Sequence, residues 1–375
     1  MSFVPSSEPE QITETEVAPD LARRGFLTRL AALVTTAGLG FAPQSDAADG
    51  GWWDEPPSVA RPRWPTRTPQ YGNRPPARYW SQPPVRYPSQ SPPRYWDQPP
   101  TQPWVQPWAT TDLNAKVERY VTYLRRTGRM AANERTAWLV YDFTSQRFLV
   151  TINAGLPYQS ASMIKPFIAL AFFHKVQEGQ LDYTPFHQQR MEAMIQHSDN
   201  HATNYFIELL NRTSSRSGPA EAEHTLKRRH PGLFRQTRIV EYIPNGGRTY
   251  RNRASALDYH RFLQALWYDQ LPYSAELRRL MYLPNRDRVY TGATGVPRGT
   301  EVIDKTGTTA RLCGDMGILV ARGRDGRSYP YTFIGIIEKA QPTRSYGAWQ
   351  RARGDVIREV SSIVYGHLRQ MYDLV

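Results

Sequence analysis

Ser162 and Lys165 stand three residues apart at the head of an apolar run that includes Phe167, Ile168, Leu170, Ala171 and Phe172. On a helix, positions i and i+3 share a face, so the Lys165 ammonium can lie beside the Ser162 hydroxyl. A serine hydroxyl is a weak nucleophile until a neighbour takes its proton, and a partly desolvated lysine of lowered pKa can do so. A helix start would add backbone N–H groups and a positive dipole end where an oxyanion develops. A second cluster, Ser198-Asp199-Asn200, follows a helical stretch containing Met191, Met194 and Ile195. Its hydroxyl can relay a proton toward a leaving nitrogen, and the Asn200 amide can hold a substrate amide carbonyl. Read alone, the triplet is an ordinary helix cap, because Ser, Asp and Asn all favour that position. The third cluster, Lys305-Thr306-Gly307-Thr308, closes a predicted strand. There a strand edge aligns an extended substrate, the lysine offers a cation to a carboxylate, and glycine permits close approach. Each cluster is short enough to arise by chance, whereas the three in this order form a pattern.

These groups need a scaffold, and residues 111–375 are one domain's length. Leu113, Val117, Tyr120, Val121 and Leu124 recur at helical spacing, as do Val356, Val360, Ile363, Val364, Leu368 and Met371. Between these terminal helices the sequence predicts a hairpin (136–141, 147–152), a long helical middle, and strands over 301–306, 316–322 and 329–338. The implied fold is a two-part α/β one, an antiparallel five-stranded sheet flanked by the terminal helices plus an all-helical subdomain. The interface of the two parts is the expected place for a cleft.

The rest of the 375 residues reads differently, and it holds most of the 31 prolines. Ala22-Arg23-Arg24-Gly25-Phe26-Leu27 leads into an uncharged, small-residue stretch over 30–41 and then Ser45-Asp46-Ala47. That order is expected of a twin-arginine-type export signal over 1–47, cleaved after Ala47 and directing the chain to the periplasm or another extracytoplasmic space. The uncharged run is short of the ~20 residues a spanning helix needs, so membrane contact is expected only through an uncleaved signal. Residues 48–110 are dense in Pro, Arg and aromatics, with Arg78-Tyr79-Trp80, Arg86-Tyr87-Pro88 and Arg94-Tyr95-Trp96 spaced by eight. An extended polyproline II or disordered linker is expected there, serving as a tether or as a strip contacting cell-wall polymer. The formal charge of +13 implies anionic surroundings, but lysine occurs only at 116, 165, 175, 227, 305 and 339, and an exported chain meets little nucleic acid. One cysteine, Cys313, excludes an intrachain disulfide and any cysteine-cluster metal site. His197 and His201 lack the glutamate and third ligand of a zinc site, so no metal or cofactor is expected.

The three motifs and their order resemble the S-x-x-K, S-D-N and K-T-G set of class A β-lactamases and penicillin-binding proteins. Over 112–375 the chain resembles the class A β-lactamase fold of the active-site-serine penicillin-recognising superfamily, including the hairpin before Ser162 and the Ile303-Asp304 lead-in to Lys305. The resemblance implies Ser162 as acylated nucleophile, Lys165 as proton acceptor, Ser198 as relay and Asn200 as substrate-amide binder. It further implies that Lys305 and Thr306 bind the substrate carboxylate, beside Gly307, and that the backbone N–H groups of Ser162 and Thr308 form the oxyanion hole. The stretch from Lys165 to Ser198 is shorter than the family's usual one, which suits a bulky wall peptide. Class A enzymes deacylate with a glutamate and an asparagine four residues on, a spacing that Glu241 and Asn245 have. In a competing register Ile243-Pro244-Asn245 matches a later point of that loop, the base position falls near Gln236, and residues 253–256 start the next helix. The implied activity is β-lactam opening through an acyl-Ser162 intermediate, with a D,D-peptidase or penicillin-binding protein acting on D-Ala-D-Ala wall peptides as the alternative. A non-catalytic wall-binding protein is the remaining reading. Deletion of residues 50–108 separates them: an enzyme retains activity on soluble substrate, and a wall binder loses its binding to isolated cell wall.

Overall fold

The structure, a computed structural model, describes residues 112–244 and 251–375. The expected export signal, the linker over 48–110 and Asn245 lie outside the described residues. No helix among the described residues is long and apolar enough to cross a membrane.

Helix α1 (Asp112–Arg126) leads into the hairpin β1 (Glu134–Asp142) and β2 (Arg147–Ile152). The late strands are β5 (Glu301–Thr308), β6 (Leu312–Arg322) and β7 (Ser328–Lys339), and α8 (Tyr346–Tyr372) closes the chain. The five strands form one antiparallel sheet, as expected, and its strand order is β2-β1-β7-β6-β5. Both faces of the sheet are buried, and alternate side chains serve different cores. Trp138 and Val140 join Leu113, Val117, Val121 and Leu124 of α1 and Val356, Ile357, Val360, Val364 and Leu368 of α8. Ala137, Leu139 and Tyr141 enter the opposite core with the inner helices. Helix α8 is also tied to β1 by the buried Glu134 carboxylate, which accepts hydrogen bonds from Trp349 Nε1 (2.6 Å) and Arg353 Nε (2.9 Å).

The helical part comprises α2 (Lys165–Gln177), α3 (Pro185–Ile195), α4 (Asn200–Asn211), α5 (Gly218–Arg229), α6 (Ala256–Trp267) and α7 (Ser274–Tyr282). Helix α2 is its axis, buried without interruption from Lys165 to Lys175. A helix apolar all round has no solvent face to orient it, so neighbours on every side must fix it. Phe167 meets Phe234 and Phe262 edge-on, and Phe172 meets Phe206. Lys175 reaches Glu221 of α5 at 2.7 Å, and that buried carboxylate also accepts from Ser214 Oγ (2.7 Å) and Thr225 Oγ1 (3.0 Å).

Three local expectations are revised. Ser162 lies in a 3₁₀ turn (Ala161–Ile164), and the regular helix begins at Lys165. Pro166 accounts for this, because a residue without an N–H and with φ fixed is tolerated only in a helix's first turn. Strand β5 continues through Gly307 and Thr308, so the third motif lies within a strand. Arg253-Ala254 form a strand, β4 (Arg253–Ala254), paired with β3 (Tyr158–Gln159); Ser255 then caps α6 by accepting from Asp258 N–H at 3.1 Å. Strands of two residues are too short to show alternation in sequence.

His174 of α2 and His230 at the end of α5 meet Nε2 to Nε2 at 2.8 Å, which requires at least one neutral ring. Burial lowers His174 to about 3, assisted by His230 and Arg229, and lowers His230 to about 4. Both values lie below the 6.5 of a free imidazole, so the unfolded chain binds more protons in acid. The contribution is complete above pH 6.5 and is lost as pH falls toward 3. Thermal melts from pH 7 to 4 should therefore show a falling Tm, with a shallower slope in His174→Gln; equal slopes would remove the pair from the acid response.

Candidate active site

The turn carrying Ser162 is fixed from both sides. Ala161 takes a left-handed backbone (φ +46°), a conformation that costs a non-glycine residue of order 1–3 kcal/mol and persists only where its surroundings impose it. Ser160 N–H donates to Asn252 O at 2.9 Å on one flank. On the other, β5 comes so close that a Cβ on Gly307 would lie 2.9 Å from Met163 Cγ and 3.1 Å from Ala161 Cβ. Gly314 on β6, opposite Gly307, meets the same side chain, with Met163 Cε 2.8 Å from its notional Cβ. Ser162 is left partly exposed beside the edge strand of the sheet.

One turn further on, Lys165 is completely buried. Its Nζ donates to Ser198 O, to Ser198 Oγ at 3.2 Å and to Asn200 Oδ1 at 3.0 Å. The first and second clusters are therefore in direct contact across α2 and the α3–α4 connection. Ser198 is also left-handed (φ +59°), which turns its carbonyl and hydroxyl to the lysine. The capping reading of the triplet holds as well, but for Asp199 alone: it accepts from Ala202 N–H at 2.6 Å while its neighbours face Lys165. Burial drives the Lys165 pKa well below the usual amine value; Lys305 lowers it further and Asp199 opposes.

Lys305 is buried on β5, and burial lowers it to about 8, with Arg288 acting in the same direction and Asp304 and Asp315 opposing. Thr306 and Thr308 are partly exposed on that strand. Arg288 carried no signal in the sequence, since it lies in a connection without periodicity. Its Nη2 donates to Thr308 Oγ1 (2.9 Å), its Nη1 to Gly314 O (3.1 Å), and its backbone N–H to Asp315 Oδ2 (2.7 Å).

Glu241 is paired with Arg251. Its carboxylate accepts from the Arg251 backbone N–H and from Arg251 Nε at 2.8 Å. Asn252, fully buried, accepts from Val240 N–H (2.8 Å) and Glu241 N–H (3.2 Å) and donates to Glu241 O (3.0 Å). Asn204 of α4 brackets Ile243 in the same way, at 3.0 and 2.8 Å. Gln236, the base position of the competing register, is exposed, and its backbone N–H donates to Asp258. His197 and His201 are exposed, and Cys313 is buried in β6.

The model of the β-lactamase enzyme family matches residues 119–185 and 187–368. The chain belongs to that family. Among solved structures, this β-lactamase-family chain is similar to PBP-A (20% identity, TM-score 0.55, covering 72% of this chain and 99% of that one). It is likewise similar to a point mutant of PBP-A, an acyl-enzyme complex with penicillin G (20%, 0.54, 73% and 100%). A β-lactamase from Desulfarculus baarsii DSM 2075 gives 20%, 0.53, 68% and 98%. At these identities the likeness establishes the β-lactamase/transpeptidase-like fold. No curated protein matches the sequence.

Lys165→Ala leaves the Ser162 hydroxyl without the base one turn away and is expected to slow acylation by about 10²–10⁴-fold. The rate of adduct growth by intact-protein mass checks this; a rate within a fewfold of the parent would exclude Lys165 as proton acceptor.

Proposed function

We propose that this chain is an exported serine hydrolase that opens β-lactam amides through an acyl-Ser162 intermediate. The observation that carries the reading is the buried Lys165 amine, depressed in pKa and hydrogen-bonded to Ser198 and Asn200 one turn from Ser162. With its pKa depressed by burial, the Lys165 amine can accept the Ser162 proton as Oγ attacks the lactam carbonyl. The C–N bond then breaks, and the nitrogen takes a proton passed from Lys165 through Ser198 Oγ. Asn200 holds the substrate side-chain amide, and Lys305 with Thr306 holds its carboxylate at the edge of β5, where Gly307 lets the substrate approach. The backbone N–H groups of Ser162 and Thr308 stabilise the oxyanion.

The acyl group's fate divides a β-lactamase from a penicillin-binding protein. Glu241, the candidate deacylation base, is bound to Arg251, and this pairing supports slow hydrolysis. It favours the second reading, a D,D-peptidase or penicillin-binding protein acting on D-Ala-D-Ala wall peptides. The penicillin G acyl-enzyme of the PBP-A mutant supports a β-lactam as ligand in either reading.

The test is intact-protein mass over time with benzylpenicillin, beside Ser162→Ala and Arg251→Ala. Serine acylation predicts an adduct or drug loss that Ser162→Ala abolishes; neither in the parent chain would overturn it. Drug loss with a transient adduct identifies a β-lactamase, and a persistent adduct identifies a penicillin-binding protein. Arg251→Ala should shorten the adduct's life if Glu241 is the base, and an unchanged lifetime would exclude Glu241.

A further inference from the structure

Helix α5, the residues just before it and the segment 238–240 line an open surface hollow of ≈ 520 Å³ that the chemistry above does not use. Its wall carries three full positive charges, Arg216, Lys227 and Arg238, against one carboxylate, Glu223, with His224 beside them. Glu223 Oε1 is shared between Lys227 Nζ (2.7 Å) and Arg238 Nη1 (3.1 Å), and its Oε2 accepts the Ile239 N–H at 2.8 Å. One carboxylate thus serves two cations while also fixing the backbone. Arg216 reaches Glu221 only at 3.5 Å, and that carboxylate already holds Lys175 at 2.7 Å. Ala220 and Val240 add an apolar surface, with Val240 48% exposed, while Ile239 is buried behind them.

Excess cation over a part-apolar hollow selects an anion bearing some hydrocarbon, and excludes a cationic occupant. The chain's own segment 48–110 is such a cationic occupant, with seven arginines and four acidic residues. We propose that this hollow binds an anionic ligand, a carboxylate or phosphate group held by Lys227, Arg238 and Arg216, with its carbon skeleton against Ala220 and Val240. The ligand competes with Glu223 for Lys227 and Arg238. Because Glu223 also holds Ile239 two residues before Glu241, occupancy bears on the Glu241 segment.

The experiment uses the full chain, with citrate and pyrophosphate as separate probes followed by titration calorimetry at low and raised salt. Two variants interrogate the cavity: the double variant Lys227→Ala/Arg238→Ala, and Val240→Glu, which sets a carboxylate at an exposed position without disturbing the core. Lys305→Ala reports on anions bound at the edge of β5 instead. The expected result is saturable 1:1 binding of at least one probe, weakened by salt, reduced about tenfold or more in both cavity variants and retained in Lys305→Ala. Citrate alone marks a carboxylate site, pyrophosphate alone a phosphate site, and both a general anion site. Absence of saturable binding by either probe, or binding lost only in Lys305→Ala, would overturn the proposal.

Discussion

A primary amine with none of its surface in water must either lose its charge or be surrounded by acceptors, and Lys165 does both in part. Three oxygens, from Ser198 and Asn200, receive its hydrogens, while burial and the charge of Lys305 weaken its hold on the third proton. Much of the surrounding architecture serves to keep that environment closed. Helix α2 is apolar on every side, α4 begins where its cap can turn Ser198 and Asn200 toward the amine, and the aromatic packing of Phe167 and Phe172 keeps water from the helix. An exposed lysine at the same spacing from Ser162 would remain protonated at neutral pH and could take no proton.

The second constraint is steric. The sheet's edge strand and the turn bearing Ser162 approach to a distance that only hydrogen at the Gly307 and Gly314 α-carbons allows, with Met163 filling the space between. The glycine of the K-T-G motif thus has a structural cause: it sets the distance from the turn bearing Ser162 to the edge strand β5. Lys305 lies on the same strand, where burial lowers its pKa and the neighbouring Asp304 and Asp315 oppose that loss of charge.

The sheet, its antiparallel order and both terminal helices were legible because their apolar periods of 2 and 3.6 extend over many residues. Of the three motif clusters, the structure brings Lys165 of the first into contact with Ser198 and Asn200 of the second, a juxtaposition that the motif set implied and that no local spacing could show. Arg288 was not, since its relation to Thr308 and Gly314 arises from folding across a connection that carries no pattern. The 3₁₀ turn was mistaken for helix because an i, i+3 spacing fits both, and only Pro166 distinguishes them. Glu241 has the motif's four-residue spacing to Asn245, and what spacing could not give is its pairing with Arg251.

Helix α2 touches solvent nowhere between Lys165 and Lys175, and this restricts how such a chain can diversify. A change on that helix is transmitted to the amine, because no outward face exists to absorb it. Tolerance to drift must lie off that helix instead, at exposed positions that do not touch the amine and in the partly exposed threonines of β5. The same fold can thereby present a different mouth to different acyl donors while the proton-transfer machinery stays unchanged, and new specificities would be acquired by remodelling loops around a fixed axle.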